Sequence, residues 1–292
     1  SCAMLRATVK LCCGIAHDHL RHLPGKPHLP PLRPQEKQAQ KRILKEMLGG
    51  LFTLLCLAPA ATCPEPPGDI SPSQFSSVDL SYITQGEMAL QRALSILQQP
   101  TSWQAETTLD TGAAVSSTTL PGLGKVFRAE VVLAVPVEQL HLELFERIEQ
   151  MPQWNPTLSQ VKVLQRVGTD TLVTHEVTAP SPGNLVGQRD FISVRHCRRR
   201  ETAIYLVGTA TQVEPLPLQE GCIRAESQLS CIVLQPLAGD PGHTRFTWLL
   251  SMDLKASATG WIPTSVINRV LPQSQADFIK HLRRHLSAIA CP

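Results

Sequence analysis

The sequence predicts an α+β chain in which a strongly curved antiparallel sheet wraps around a long C-terminal helix, behind a basic and largely disordered N-terminal leader. Three observations predict it. Apolar residues recur with period two through six segments after residue 157, with no helical pattern between them, which suits successive antiparallel strands. The last thirty residues switch to a helical stripe. Charge divides at about residue 72: 9 Lys and Arg against 5 acids before it, 18 against 19 after it. The chain accordingly reads as a leader and linker, 1–72, and a folded body, 73–292.

In the leader, residues 4–46 carry repeated basic residues and two acids before Glu46, and their start can form a short amphipathic helix. That is the pattern of a mitochondrial presequence, and composition fits a plain basic tail equally well. Residues 47–61 are apolar but fall short of the ~20 residues that a spanning helix needs, and they hold Gly49, Gly50 and Pro59. They read as an interfacial or import-related segment, or as an insert.

The body opens with a helix over 79–98, where Ile83, Leu90, Leu94 and Leu97 share a stripe and Pro100 ends it. Short β-like pieces follow at 103–109 and 114–120. Over 125–135, Phe127, Ala129, Val131, Leu133 and Val135 alternate with their neighbours, which predicts a sheet with one buried face. Residues 137–151 place Val137, Leu140, Leu144, Phe145, Ile148 and Met151 on one helical face, and Trp154-Asn155-Pro156 stops that helix. Strands are expected at 158–167, 171–178, 190–198, 202–211, 222–237 with a break, and 244–255. In the last of these Phe246, Trp248, Leu250, Met252 and Leu254 face one way. The closing helix spans 263–289 with Val266, Ile267, Val270, Phe278, Leu282, Leu286 and Ile289 inward. Pro272 predicts a kink or two helices meeting, because proline removes an internal hydrogen bond.

Chemistry is sparse. The near-neutral body does not suit phosphate neutralisation, so no nucleic-acid partner is expected. There is no Walker loop, no G-x-S-x-G, no H-E-x-x-H and no Rossmann fingerprint, so no catalytic residue is assigned. Nine cysteines without a C-x-x-C form neither a disulfide framework nor a zinc site. His281 and His285 at i, i+4 read as a solvated cationic face rather than as metal ligands, so no metal and no cofactor are expected. Glu176 and Arg195 are more informative: both sit inside mixed apolar strands joined by one loop, so they can pair across the sheet. If buried, each requires the other. A structural ion pair and a binding pair both fit. Arg199-Arg200-Glu201-Thr202 has the spacing of a basophilic kinase site, which makes Thr202 a phosphorylation candidate; alternatively Thr202 opens a strand.

Lys125-Val126-Phe127-Arg128-Ala129-Glu130-Val131-Val132, Trp154-Asn155-Pro156, Thr174-His175-Glu176, the run Gly183-Asn184-Leu185-Val186-Gly187-Gln188-Arg189-Asp190-Phe191, Thr247-Trp248-Leu249-Leu250-Ser251, and Val266-Ile267-Asn268 with Asp277-Phe278 and His281-Leu282-Arg283 resemble the steroidogenic acute regulatory family of START-domain proteins. The resemblance covers roughly residues 75–288. It implies a helix-grip START fold enclosing a tunnel for one sterol, and a non-enzymatic carrier that brings cholesterol to the inner mitochondrial membrane for steroid hormone synthesis. It further implies Glu176 and Arg195 at the sterol hydroxyl, Phe278, Leu282 and Leu286 lining the tunnel from a mobile lid helix, and structural support from Asn155 and Arg189. The partners implied are cholesterol, the mitochondrial outer-membrane surface and, through the leader, the import machinery, with the protein acting as a monomer. Residues 46–72, an insertion at 256–259 and Pro272 depart from the family pattern. A carrier of another lipid, or an enzyme on a similar cavity, are the alternatives; for the latter, Glu176 paired to Arg195 would be ionised and a poor general acid.

Overall fold

The computed structural model describes residues 74–108, 112–180, 187–255 and 264–290. The leader, the 47–61 segment and the 256–259 insertion lie outside the described residues. Among those described, no helix is long and apolar enough to cross a membrane.

Helix α1 (Ser77–Gln98) begins at a capping box. Ser76 accepts from the Asp79 amide, and Asp79 accepts from the Ser76 amide, which satisfies the first exposed donors of the helix. Strands β1 (Gln104–Ala105), β2 (Ala114–Leu120) and β3 (Gly124–Leu133) follow. The helix expected over 137–151 is instead broken into α2 (Val137–His141), a π turn at Leu142–Glu146, a 3-10 turn at Ile148–Gln150 and α3 (Met151–Trp154). The apolar residues still reach one side, with Leu140, Leu144, Phe145 and Ile148 all buried. The residue spacing survives a change of helix type, so periodicity alone does not report the break.

Strands β4 (Leu158–Val167), β5 (Thr171–Thr178), β6 (Arg189–Arg200), β7 (Ala203–Ala210), β8 (Ile223–Arg224), β9 (Glu226–Leu237) and β10 (Asp240–Asp253) complete one sheet in the order β1-β2-β3-β10-β9-β7-β6-β5-β4. Every pairing is antiparallel except the short parallel contact of β8 with β6. Arg200 pairs with Ala203, so Thr202 does not open a strand; it sits with Glu201 in a two-residue hairpin turn, exposed.

The terminal helix α4 (Thr264–Ala290) is continuous through Pro272 rather than two helices. One missing N–H is offset by the packing of Leu271, Gln275 and Ala276 around it, all buried. Phe278, Leu282 and Leu286 face the sheet as expected, whereas Ile289 is 44% exposed and leaves the stripe.

The sheet does not have one buried face but two. On its outer side Val126, Val207, Leu229, Cys231 and Leu249 pack under Ala89, Leu90, Ala93 and Leu94 of α1. Its inner side packs Leu172, Leu206, Ile232 and Phe246 under Phe278, Ile279, Leu282 and Leu286 of α4. Gly86 lets α1 come this close: a Cβ there would lie 2.5 Å from the Cβ of His196 on β6. Gly86→Ala is expected to destabilise the fold, because overpacking of about 1–3 kcal/mol outweighs a helix-propensity gain of about 1 kcal/mol. A lower denaturant midpoint with an unchanged slope would show it.

Candidate lipid-binding site

The register between β5 and β6 places Leu172 opposite Arg195, Thr174 opposite Ser193 and Glu176 opposite Phe191. Opposed residues share a face, so Glu176 and Arg195 lie on the inner side of the sheet with Leu172. They are not directly opposed. The Arg195 side chain runs diagonally past Thr174, donating from Nε to Glu176 Oε1 at 2.9 Å and to Thr174 Oγ1 at 3.3 Å, while its Nη2 also donates to Glu176 Oε1. Thr174 Oγ1 in turn donates to the same carboxylate oxygen at 3.0 Å. The pair is therefore well built, yet the side chains keep 13% and 25% of their surface accessible.

Other side chains of the inner face differ in burial. Leu172, Phe246, Ile279 and Leu282 are sealed, whereas Trp154 and Trp248 are only half-buried although both pack against this core. Both indoles meet the Phe278 ring, at 5.6 and 5.0 Å between centroids. Trp248 Nε1 donates to Ser230 Oγ at 3.0 Å. Above it, Gln275 of α4 is fully buried and donates to the Trp248 carbonyl at 3.2 Å, and its Oε1 has no hydrogen-bond partner among the described residues. These partly accessible side chains on the inner side are the candidate contact points for a ligand.

His285 does not belong to a solvated face. Its ring stacks on Trp154 at 5.2 Å, and its Nε2 lies 2.8 Å from Oε2 of the buried Glu143, which also meets Gln139 and Arg147. The carboxylate comes from 142 positions earlier in the chain, beyond the reach of local pattern. Among the described residues no three His, Cys, Asp or Glu gather as a metal site would need. Burial pushes the Cys197 thiol, on the inner side, up to about 12, so it is not a thiolate at neutral pH.

Asn155 and Arg189 are engaged by backbone and turn partners. Asn155 is buried, and its Oδ1 accepts from the amide and hydroxyl of Thr157 at 3.2 and 2.8 Å, fixing the turn into β4. Arg189 is buried at the start of β6 and donates to the carbonyls of Leu254, at 3.2 Å, and Gly187, at 2.5 Å. Next to it Asp190 is fully buried; desolvation opposes its charge, but hydrogen bonds from Arg224 and His175 outweigh this and hold its carboxyl below the usual range.

At the β6–β7 turn, Arg199 already makes a bidentate pair with Glu138 at 2.7 and 2.8 Å, and Arg198 pairs with Glu87. Two open recesses, of about 640 and 500 Å³, lie on the α1 side of the sheet, along residues 210–217 and 224–226 and along the start of α1. Neither is lined by Glu176 or Arg195.

A START domain model matches residues 83–290. The chain is 45% identical to the mitochondrial steroidogenic acute regulatory protein of Gallus gallus over 98% of this chain and 99% of that one. It is 44% identical to the Homo sapiens protein of the same name, over 98% and 97%. Among solved structures, human StAR-related lipid transfer protein 5 superposes with a TM-score of 0.63 at 17% identity, over 73% of this chain and 99% of that one, which shows the fold. The chain belongs to the START domain family, in the branch of the steroidogenic acute regulatory proteins.

Proposed function

We propose that the protein is a non-enzymatic sterol carrier that holds cholesterol between the sheet and α4 and delivers it at mitochondria for steroid hormone synthesis. The observation that carries this reading is the Glu176–Arg195 pair: a hydrogen-bonded but partly accessible polar point on the same inner face of the sheet as the apolar residues that pack against Phe278, Leu282 and Leu286. A ligand with one hydroxyl and a rigid hydrocarbon body wants that arrangement. Its relatives are named mitochondrial, which supports action at the outer-membrane surface and import through the leader. At about 0.3 kcal/mol per heavy atom, a sterol of about 28 such atoms gains ~8 kcal/mol, near micromolar affinity and loose enough to unload. The exposed Thr202, after Arg199 and Arg200, is accessible to a kinase. A phosphate there would compete with Glu138 and Glu87 for arginines already engaged, rather than draw in free ones.

Titration of the full chain with a fluorescent cholesterol analogue is expected to saturate near micromolar, with the sterol recovered chemically unchanged. Absence of saturable binding by the folded chain, or preferential recovery of another lipid by extraction and mass spectrometry, would reject cholesterol as the cargo.

A further inference from the structure

The apolar side chains beneath α4 fall into two buried clusters that do not join. One gathers Phe127, Phe191, Leu254 and Leu271, and the other gathers Phe278, Ile279, Leu282 and Leu286 with their sheet partners. Leu271 and Phe278 stand two turns apart on α4, with Gln275 between them. On the sheet, one row of opposed residues runs Arg195, Gly208, Ser230 and Leu250 across β6, β7, β9 and β10. All four positions share the inner face. Arg195 turns away toward Glu176, and the Ser230 hydroxyl is held by Trp248. Gly208, between them, contributes no side chain.

Among the described residues nothing demands a glycine there. Gly208 is not among the positive-φ glycines, so its backbone suits any residue. Among the described residues, a Cβ built on it would meet only Ser230 Cβ and the Val194 carbonyl oxygen, both at an ordinary 3.7 Å, in contrast to Gly86. Glycine inside a strand costs stability; the pairings on both sides run through Gly208 without a register shift, so it marks no bulge, and the close approach of a ligand is a physical reason for it.

We propose that Gly208 is a specificity-determining residue of the sterol site: the floor position left bare so that the broad face of a rigid ring system lies flat between the Glu176–Arg195 pair and the Ser230–Trp248 pair. Those pairs stand two strand spacings apart, about 10 Å, along the row. The proposal rests on the sterol reading and adds where the ring body sits. A side chain at 208 would occupy the volume that the rings need, while filling space that the empty protein leaves open.

The test is titration of full-chain Gly208→Ala and Gly208→Val with the fluorescent cholesterol analogue, alongside thermal melting. Affinity is expected to fall about threefold for Ala and more than tenfold for Val, while Tm stays level or rises because an interior glycine has been removed. Wild-type affinity in folded Gly208→Val, or losses of affinity that track losses of Tm, would overturn the proposal. Should Val fail to fold, Ala decides, since its Cβ meets nothing closer than 3.7 Å: unchanged affinity for Ala would then overturn it. Failure of the wild-type chain to bind any sterol would instead sink the sterol reading on which the proposal stands.

Discussion

Leu282→Asp is expected to undock the terminal helix and abolish sterol binding while the sheet survives. Leu282 is fully buried among Phe278, Ile279, Leu286 and the inner face of the sheet. The substitution removes the leucine packing and places a carboxylate among the apolar side chains of that core, and the two losses together cost about 3–5 kcal/mol. For a domain of this size that corresponds to a Tm lower by roughly 6–20 °C. The sheet has a second, separate core under α1, so far-UV circular dichroism should keep its strand signal below the melt. Tryptophan emission should shift even so, because Trp154 and Trp248 both lose the Phe278 ring. Ile289→Asp, at a position 44% exposed on the same helix, supplies the contrast and should change neither Tm nor affinity measurably. Equal behaviour of the two variants would mean that α4 is not held by this face.

The strands were legible because period-two alternation survives in β3 and β10, and the terminal helix because its stripe is long. What alternation hid was the second buried face. Leu229, Cys231 and Leu249 interrupt the pattern with apolar residues of the wrong parity, and they do so because α1 covers them; a strand buried on both faces reads as an unbroken apolar run. The Glu176–Arg195 pair was legible as two charges of matching parity on adjoining strands. The partnership of His285 with Glu143, the unpartnered oxygen of Gln275 and the bare floor at Gly208 were not. Each depends on which segments meet across the fold, and a glycine that serves a turn cannot be told by type from one that makes room. Pro272 misled in the other direction: its local cost is real, but the packing of Leu271, Gln275 and Ala276 on the same turn holds the helix through it.

Whether the ion pair holds the fold or holds the sterol is separable by a double-mutant cycle with Glu176→Met and Arg195→Met. Either single change leaves one ion in the interior with Thr174 as its remaining hydrogen-bond partner in the present network, and the expected cost is about 2–4 kcal/mol, below the full value for a sealed pair because both side chains keep some access. The double change removes both charges, and two methionines fill similar volume, so stability should return to within about 1 kcal/mol of the wild type. A structural pair predicts that sterol affinity returns with it. A binding pair predicts that it does not, because the stable double variant has nothing to meet the sterol hydroxyl, and loss of one such bond, about 1.5 kcal/mol, leaves affinity roughly tenfold weaker. Stability and affinity thus move together in one case and part in the other. The geometry favours parting: Glu176 Oε1 receives donors from Arg195 and Thr174, while no hydrogen bond from the described residues reaches Oε2, which leaves an acceptor at the open side of the pair for a hydroxyl to meet.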